Sequence, residues 1–141
     1  MDNKIYTCLW FDGQAKAAAD YYCSVFKNAS ISSENPMVVI FEIEGRKFMG
    51  LNGGPIFKFN EAVSFVVDCD TQEEIDYYWN TLTKDGEESM CGWLKDKYGV
   101  SWQIVPKIIG QLMSGDPEKV ARVSAALFKM KKLDIETLKN A

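Results

Sequence analysis

Residues 6–26, YTCLWFDGQAKAAADYYCSVF, and residues 62–82, AVSFVVDCDTQEEIDYYWNTL, run in parallel when offset by 56 positions. Asp12 then falls on Asp68, Asp20-Tyr21-Tyr22 on Asp76-Tyr77-Tyr78, and Phe26 on Leu82. Each copy is an alternating apolar run, an acidic residue and then a helical pattern. Two readings stand: one strand–helix unit used twice, or two ordinary strand–helix pairs that coincide. Either way, the chain must place a strand and a helix at the head of each half.

The helical stretches are well marked. In the second copy, Ile75, Tyr78, Trp79 and Leu82 follow the i, i+3, i+4, i+7 spacing of one apolar face. Thr71 with Glu74 predicts a capping box, the hydroxyl taking an orphan N–H and the carboxylate reaching back. In the first copy Ala18, Tyr21, Tyr22 and Val25 give the matching stripe, with a start at Asp12 or Gly13 and an end near Asn28. Short strands follow each helix. The first half offers Ser30–Ser33, MVVIFEIE (37–44) and KFMGL (47–51), the last two joined by a turn at Gly45-Arg46. The second half offers Glu88–Met90, CGWLKDK (91–97) and VSWQIVP (100–106), the last two joined at Tyr98-Gly99.

Each half therefore reads β-α-β-β-β, and the fold class is α+β with tandem βαβββ modules and C-terminal helices. Module one spans about 1–52 and module two about 62–106. A linker over about 53–61 is read from the turn-rich NGGPIFKFN, and helices fill 107–141. The whole, 1–141, is expected to be a single domain. Asp116-Pro117 opens the main tail helix, with stripe residues Val120, Val123, Ala126, Leu127 and Met130, and a last short helix starts near Asp134.

Composition narrows function mainly by what it lacks. The chain has no histidine, which removes Ser-His-Asp and Cys-His chemistry and weakens any zinc site. A net charge of −4 opposes binding to nucleic acid or anionic membrane. No apolar stretch approaches the roughly 20 residues of a membrane helix. MDNKIYTCLWFDG lacks a basic region followed by an apolar run, so no signal peptide is expected and the location is expected to be cytoplasmic. Cys8, Cys23, Cys69 and Cys91 stand far apart and are expected to be reduced thiols.

CLWFDGQAKAAADYY (8–22), FMGLNGGP (48–55), CGWLKDKYGVSWQIVP (91–106) and EKVARVSAALFKMKKLDI (118–135) resemble the vicinal oxygen chelate superfamily. This is the group of glyoxalases, bleomycin-resistance proteins and dioxygenases. Within it they resemble the PhnB-like branch, also labelled 3-demethylubiquinone-9 3-methyltransferase-like. The resemblance implies a glyoxalase/dioxygenase-like fold in which each sheet forms half of a cup and two halves enclose a cleft. The methyltransferase label does not suit the residues. The glycine pair Gly53-Gly54 is not followed by a helix, and no room remains for a nucleotide-binding domain.

Metal-dependent members of the superfamily place ligands on the first and last strands of each module. Carried over by strand alternation, with Gly45 aligned to Gly99, those positions are Tyr6, Met49, Ala62 and Gln103. Only Gln103 offers a ligand atom, so no metal and no cofactor are expected. The expected ligand-binding cleft comprises Cys8, Trp10, Met49, Leu51, Ser64, Trp93, Ser101 and Gln103, with Leu9 and Phe11 turned to the helix instead. Gln103 has a second reading, in which its amide bonds neighbouring backbone and holds strand ends. Glu42 is the weak candidate for a catalytic carboxylate, or else an exposed strand residue. Cys8 and Cys91 read as inert thiols, and Asp96 as a solvated hairpin residue.

Three functions follow from this reading. The first is metal-free binding of a small apolar or aromatic molecule. The second is a lyase, isomerase or dioxygenase-type enzyme using a metal or Glu42. The third is a ligandless interaction module. The resemblance also implies a homodimer.

Overall fold

The computed structural model describes residues 4–141, so the first three residues of the signal-peptide reading lie outside the described residues. Among the described residues the chain forms two four-stranded sheets and five helices. It divides into two compact units after Phe59.

The first unit runs β1 (Thr7–Phe11), α1 (Ala15–Val25), β2 (Ala29–Glu34), β3 (Val38–Ile43) and β4 (Arg46–Asn52). Its strand order is β1-β4-β3-β2, with β1 parallel to β4 and the remaining pairs antiparallel. Parallel neighbours need a long crossover, and α1 with two hairpins supplies it. Ala15, Ala18, Tyr22 and Val25 bury the helix against Leu9, Phe11, Phe41 and Phe48. Gly50 allows the close approach: a Cβ there would lie 3.2 Å from that of Ala15. Gln14 lends no side-chain cap to α1; the Asn52 carboxamide oxygen accepts the Ala15 N–H instead, at 2.9 Å. The β3–β4 turn is Glu44-Gly45, both at positive φ (50° and 77°), one residue earlier than expected. Arg46 and Lys47 consequently belong to β4.

The second unit runs β5 (Ser64–Cys69), α2 (Gln72–Thr83), β6 (Glu87–Glu88), β7 (Trp93–Lys95), β8 (Ser101–Pro106), α3 (Ile109–Leu112), α4 (Pro117–Leu127) and α5 (Ile135–Lys139). Strand order β5-β8-β7-β6 repeats the first sheet, with β5 parallel to β8. Ile75, Trp79 and Leu82 are buried as the periodicity predicts, while Tyr78 is only half-buried. Thr71 caps α2 by accepting the Glu74 N–H. The Glu74 carboxylate reaches the N–H of Asp70, one residue before the cap, at 3.1 Å.

Residues 91–97 are less of a strand than their composition suggests. Cys91 and Gly92 take left-handed φ values of 61° and 83°, which leaves β7 only three residues. Their N–H groups donate to the carbonyls of Met130 and Lys131, at 2.7 and 2.8 Å. The tail is thus docked through its main chain. Gln72 adds to this, its amide donating to the Leu133 carbonyl and accepting the Ile135 N–H. Val123, Leu133 and Leu138 form a small core there, packed against Val105 and Ile109. Asp116 and Asp134 cap α4 and α5, and α4 stops at Leu127, short of Met130.

Asp96 corrects the sequence reading most plainly. It is 3% exposed rather than solvated. One carboxylate oxygen accepts the N–H groups of Tyr98 and Val100, at 2.8 and 3.1 Å, and the other accepts the Trp102 indole N–H at 2.9 Å. A single side chain therefore ties the β7–β8 turn to the core. Asp96→Ala would leave three donors without their acceptor and should lower stability by about 3–5 kcal/mol. Asp96→Asn keeps one acceptor oxygen and should lose about half as much. Urea melts of the two variants measure this, and a loss under about 1 kcal/mol for alanine would remove Asp96 from this role.

Candidate functional site

The ladders arrange the face of each sheet opposite its α1 or α2 helix into rows of three. In the first sheet one row is Cys8, Met49 and Ile40, and the next is Trp10, Leu51 and Val38. In the second sheet the equivalent rows are Ser64, Ser101 and Lys95, then Val66, Gln103 and Trp93. Strand side chains alternate between faces, so each row projects to one side. Leu9 and Phe11 are buried on the helix side, as expected. The eight residues expected to line a cleft fall into two patches, one on each sheet.

The patches differ in chemistry. The first is apolar, and part of it is already covered. The Trp10 indole N–H donates to the Gly54 carbonyl at 2.9 Å, and Phe57 packs edge-on with ring centroids 4.9 Å apart. A Cβ on Gly53 would fall 2.3 Å from the Trp10 ring, so only glycine fits there. The linker residues 53–57 therefore lie over Trp10.

The second patch is polar with an aromatic neighbour. Gln103 Nε2 donates to Ser64 Oγ at 3.0 Å, side chain to side chain rather than to backbone. The Ser101 hydroxyl is enclosed and has no hydrogen-bond partner among the described residues. Three of the four tryptophans commit their indole N–H inside the chain: Trp10 to Gly54, Trp79 to Glu88 and Trp102 to Asp96. Trp93 makes no such bond and stands beside Gln103 on the adjacent strand. Lys95, in the row of Ser101, pairs with Glu61 at 3.1 Å. Period-two alternation from Trp93 could have singled out Lys95 from the sequence, and alternation along β3 could have singled out Val38 and Ile40.

The positions carried over for metal ligation are divided between the two units, Tyr6 and Met49 in the first and Ala62 and Gln103 in the second. Tyr6 precedes β1 and lies under the Lys47 ammonium, 4.0 Å from its ring centre. Ala62 precedes β5 and is exposed, its N–H held by Asn60. With the 56-residue offset, the ladders match Gln103 to Leu51 and Ser101 to Met49. The sequence alignment, which set Gln103 against Met49, was therefore two residues out of register. Glu42 is exposed, opposite Lys47 on one side and Ser30 on the other. Cys8 is exposed, and partial desolvation still pushes its thiol up. Burial pushes Cys69 up to about 12.

The two βαβββ modules have the fold of the glyoxalase-type, vicinal oxygen chelate proteins. The 3-demethylubiquinone-9 3-methyltransferase family model matches residues 3–105, and the chain belongs to that PhnB-like family. A PhnB protein of this type from Bacillus cereus has 34% identity and a TM-score of 0.68, over 74% of this chain and 99% of its own. Protein PA1353 from Pseudomonas aeruginosa has 17% identity and a TM-score of 0.62, over 74% and 98%. The fosfomycin resistance protein FosX from Listeria monocytogenes, complexed with Mn(II) and sulfate, has 13% identity and a TM-score of 0.55, over 86% and 97%. The last two show the fold alone. No curated protein matches the chain.

A divalent metal in this class draws on roughly four to six donors. The residues here do not fit one. There is no histidine, and no three of the described Cys, Asp and Glu residues gather into a ligand group. The reactivity of Cys8 gives a direct check on covalent chemistry. Its raised thiol should react with a disulfide reagent at pH 8 no faster than free cysteine, while Cys69 stays unreactive until the chain unfolds. Labelling followed by peptide mapping reads both, and a Cys8 rate well above free cysteine would mark it as an activated nucleophile.

Proposed function

We propose that this protein binds a small apolar or aromatic molecule without a metal, on the patch of Ser64, Trp93, Ser101 and Gln103, and that it does not transfer methyl groups. The observation that carries this reading is Trp93. Among the described residues it is the tryptophan whose indole N–H makes no hydrogen bond within the chain, and it stands beside the Gln103 amide, one row from Ser64 and Ser101. An apolar surface with a few converging polar groups is the usual make-up of a ligand site. The Cys8, Trp10, Met49 and Leu51 patch offers apolar area but no free hydrogen-bonding group on Trp10. It is therefore the lesser candidate.

The Ser64, Trp93, Ser101 and Gln103 patch contains no carboxylate to act as an acid or base. Glu42, the carboxylate considered for that role, is exposed between Ser30 and Lys47 in the first sheet. The methyltransferase description has no matching feature either, since β1 leads into α1 through Asp12-Gly13-Gln14 rather than a glycine-rich phosphate loop. The same proposal takes a second copy of the chain as partner, forming a homodimer, and the cytoplasm as location. The four free cysteines favour that location.

Two experiments test the reading. Aromatic fragments titrated into ¹⁵N-labelled protein should give saturable shifts centred on the Trp93 indole N–H and the Gln103 and Ser64 amides. Trp93→Ala should abolish them, whereas S-adenosylmethionine should shift nothing. Scattered or non-saturating shifts would sink the binding assignment. Protein equilibrated with Mn(II) and desalted should retain under about 0.1 mol per chain. One mole per chain would overturn the metal-free part, since a site of that occupancy needs a donor set. Sedimentation equilibrium checks the dimer.

A further inference from the structure

We infer that Trp10 carries a further binding site, for one flat aromatic ring, and that Phe57 is the chain's own occupant of it, a gate that an incoming ring displaces. The site lies within the first unit and stands apart from the Trp93 patch proposed above.

The linker over Trp10 is held at its two ends and free between them. At the near end the N–H groups of Gly53 and Gly54 both donate to the Phe11 carbonyl, at 2.9 and 3.4 Å. The Gly54 carbonyl in turn accepts the Trp10 indole N–H. At the far end Phe59 packs edge-on against Phe11, with ring centroids 5.5 Å apart. Pro55, Ile56, Phe57 and Lys58 lie between these anchors and are all exposed. Among the described residues these four make no hydrogen bond. Gly54 has a φ of 100°, a conformation open to glycine, at the point where the held chain passes into the free span. The aromatic contact that Phe57 makes is the edge-on one with Trp10.

The surroundings of Trp10 suit a ring. Leu51 and Val38 share its row, Met49 and Ile40 stand in the next, and all four are apolar and half-buried. Gly53 lets the chain lie directly on the indole, where a Cβ would collide. Phe57 itself is 61% exposed, so burial does little to fix it there. An edge-to-face aromatic pair amounts to about tenfold in an equilibrium, which is a hold that a free ring can match. The contact also lies at the surface, with half-buried Trp10 on one side and the exposed span on the other, so a small molecule reaches it without crossing the core. The Trp10 N–H is committed to the anchored part of the linker. The seat therefore presents a ring and aliphatic walls and no donor of its own. Its ligand class is a flat aromatic or heteroaromatic ring, taken by packing rather than by hydrogen bonds. In the second unit the 56-residue offset puts Val66 at this place, an exposed aliphatic residue where the first unit has a covered indole.

The test uses the full chain, ¹⁵N-labelled, titrated with unlabelled indole and read at the Trp10 indole cross-peak, which is the one that Trp10→Phe removes. A ligand is weakened by the fraction of time its site is closed, so a gate shut about nine-tenths of the time costs about tenfold. Phe57→Ala, at an exposed position, should therefore bind indole about tenfold more tightly than the unaltered chain. Ile56→Ala, on the same free span but without a ring on Trp10, should bind as the unaltered chain does. Hydrogen exchange should find the amides of Ile56, Phe57 and Lys58 close to the unprotected rate and that of Gly53 slowed by its bond to Phe11. Equal affinity in the unaltered chain and Phe57→Ala would overturn the gate, because the ring would then not compete. Weaker binding by Phe57→Ala would overturn it too, making the ring a wall of the site. Slow exchange across residues 56–58 would remove the free span on which the gate depends. No saturable shift at the Trp10 cross-peak in either protein would overturn the site itself. The Trp93 cross-peak in the same spectra reports separately on the binding reading above, so either can fail without the other.

Discussion

Each sheet depends on a parallel pair, first strand against last, that two intervening strands cannot substitute. β1 lies along β4, and β5 along β8, five and six residues in register. A parallel pair forces a crossover, and α1 and α2 provide it while covering one face. The opposite face is then left to residues two apart on three strands. Every side chain considered as a ligand contact owes its neighbours to that register. A slip of one residue would send Gln103 to the helix side and bring Trp102 out of the core.

Within this common frame the two units have diverged in chemistry. Where the first places Cys8 and Met49, the second places Ser64 and Ser101. Where the first places Trp10 and Leu51, the second places Val66 and Gln103. The aromatic position has also moved, from the first strand to β7. The first unit then buries part of its patch under its own linker, with Gly53 against the indole and Gly54 taking its hydrogen. In the second unit the Ser101 hydroxyl is without a hydrogen-bond partner among the described residues. The repeated architecture thus carries an apolar patch that its own linker partly covers and a patch built from serine, glutamine and tryptophan.

Much of the fold was legible because it rests on periodicity and local chemistry. The stripe on α2 and the caps at Thr71, Asp116 and Asp134 follow from local sequence alone, and the sidedness of Leu9 and Phe11 from alternation together with the family resemblance. What stayed hidden involved groups that meet only after folding. Asp96 looks like a surface residue between two lysines, and only the return of β8 brings the Trp102 indole to it. The Cys91-Gly92 kink is held by carbonyls some forty residues later. The site was half legible. Alternation grouped Ser64, Ser101 and Gln103, but their equivalents in module one depended on strand register, which turn residues misplaced by two. The lone state of the Ser101 hydroxyl and the commitment of three tryptophan hydrogens have no sequence signal.

The docking of the tail has a consequence for how such chains can drift. The family match covers residues 3–105, so the tail segment 118–135, counted in the resemblance, lies beyond the matched residues. The hold of the tail helices on the second unit combines the small core of Val123, Leu133 and Leu138 with bonds to the carbonyls of Met130, Lys131 and Leu133. Main-chain groups are present whatever the side chain, so identity at exposed positions such as Lys129 and Lys131 is free to change by descent. Spacing is not. One residue inserted between Phe128 and Leu133 would rotate those carbonyls off their donors. Lineages carrying this tail should therefore accumulate substitutions along it while rejecting insertions and deletions at its anchor.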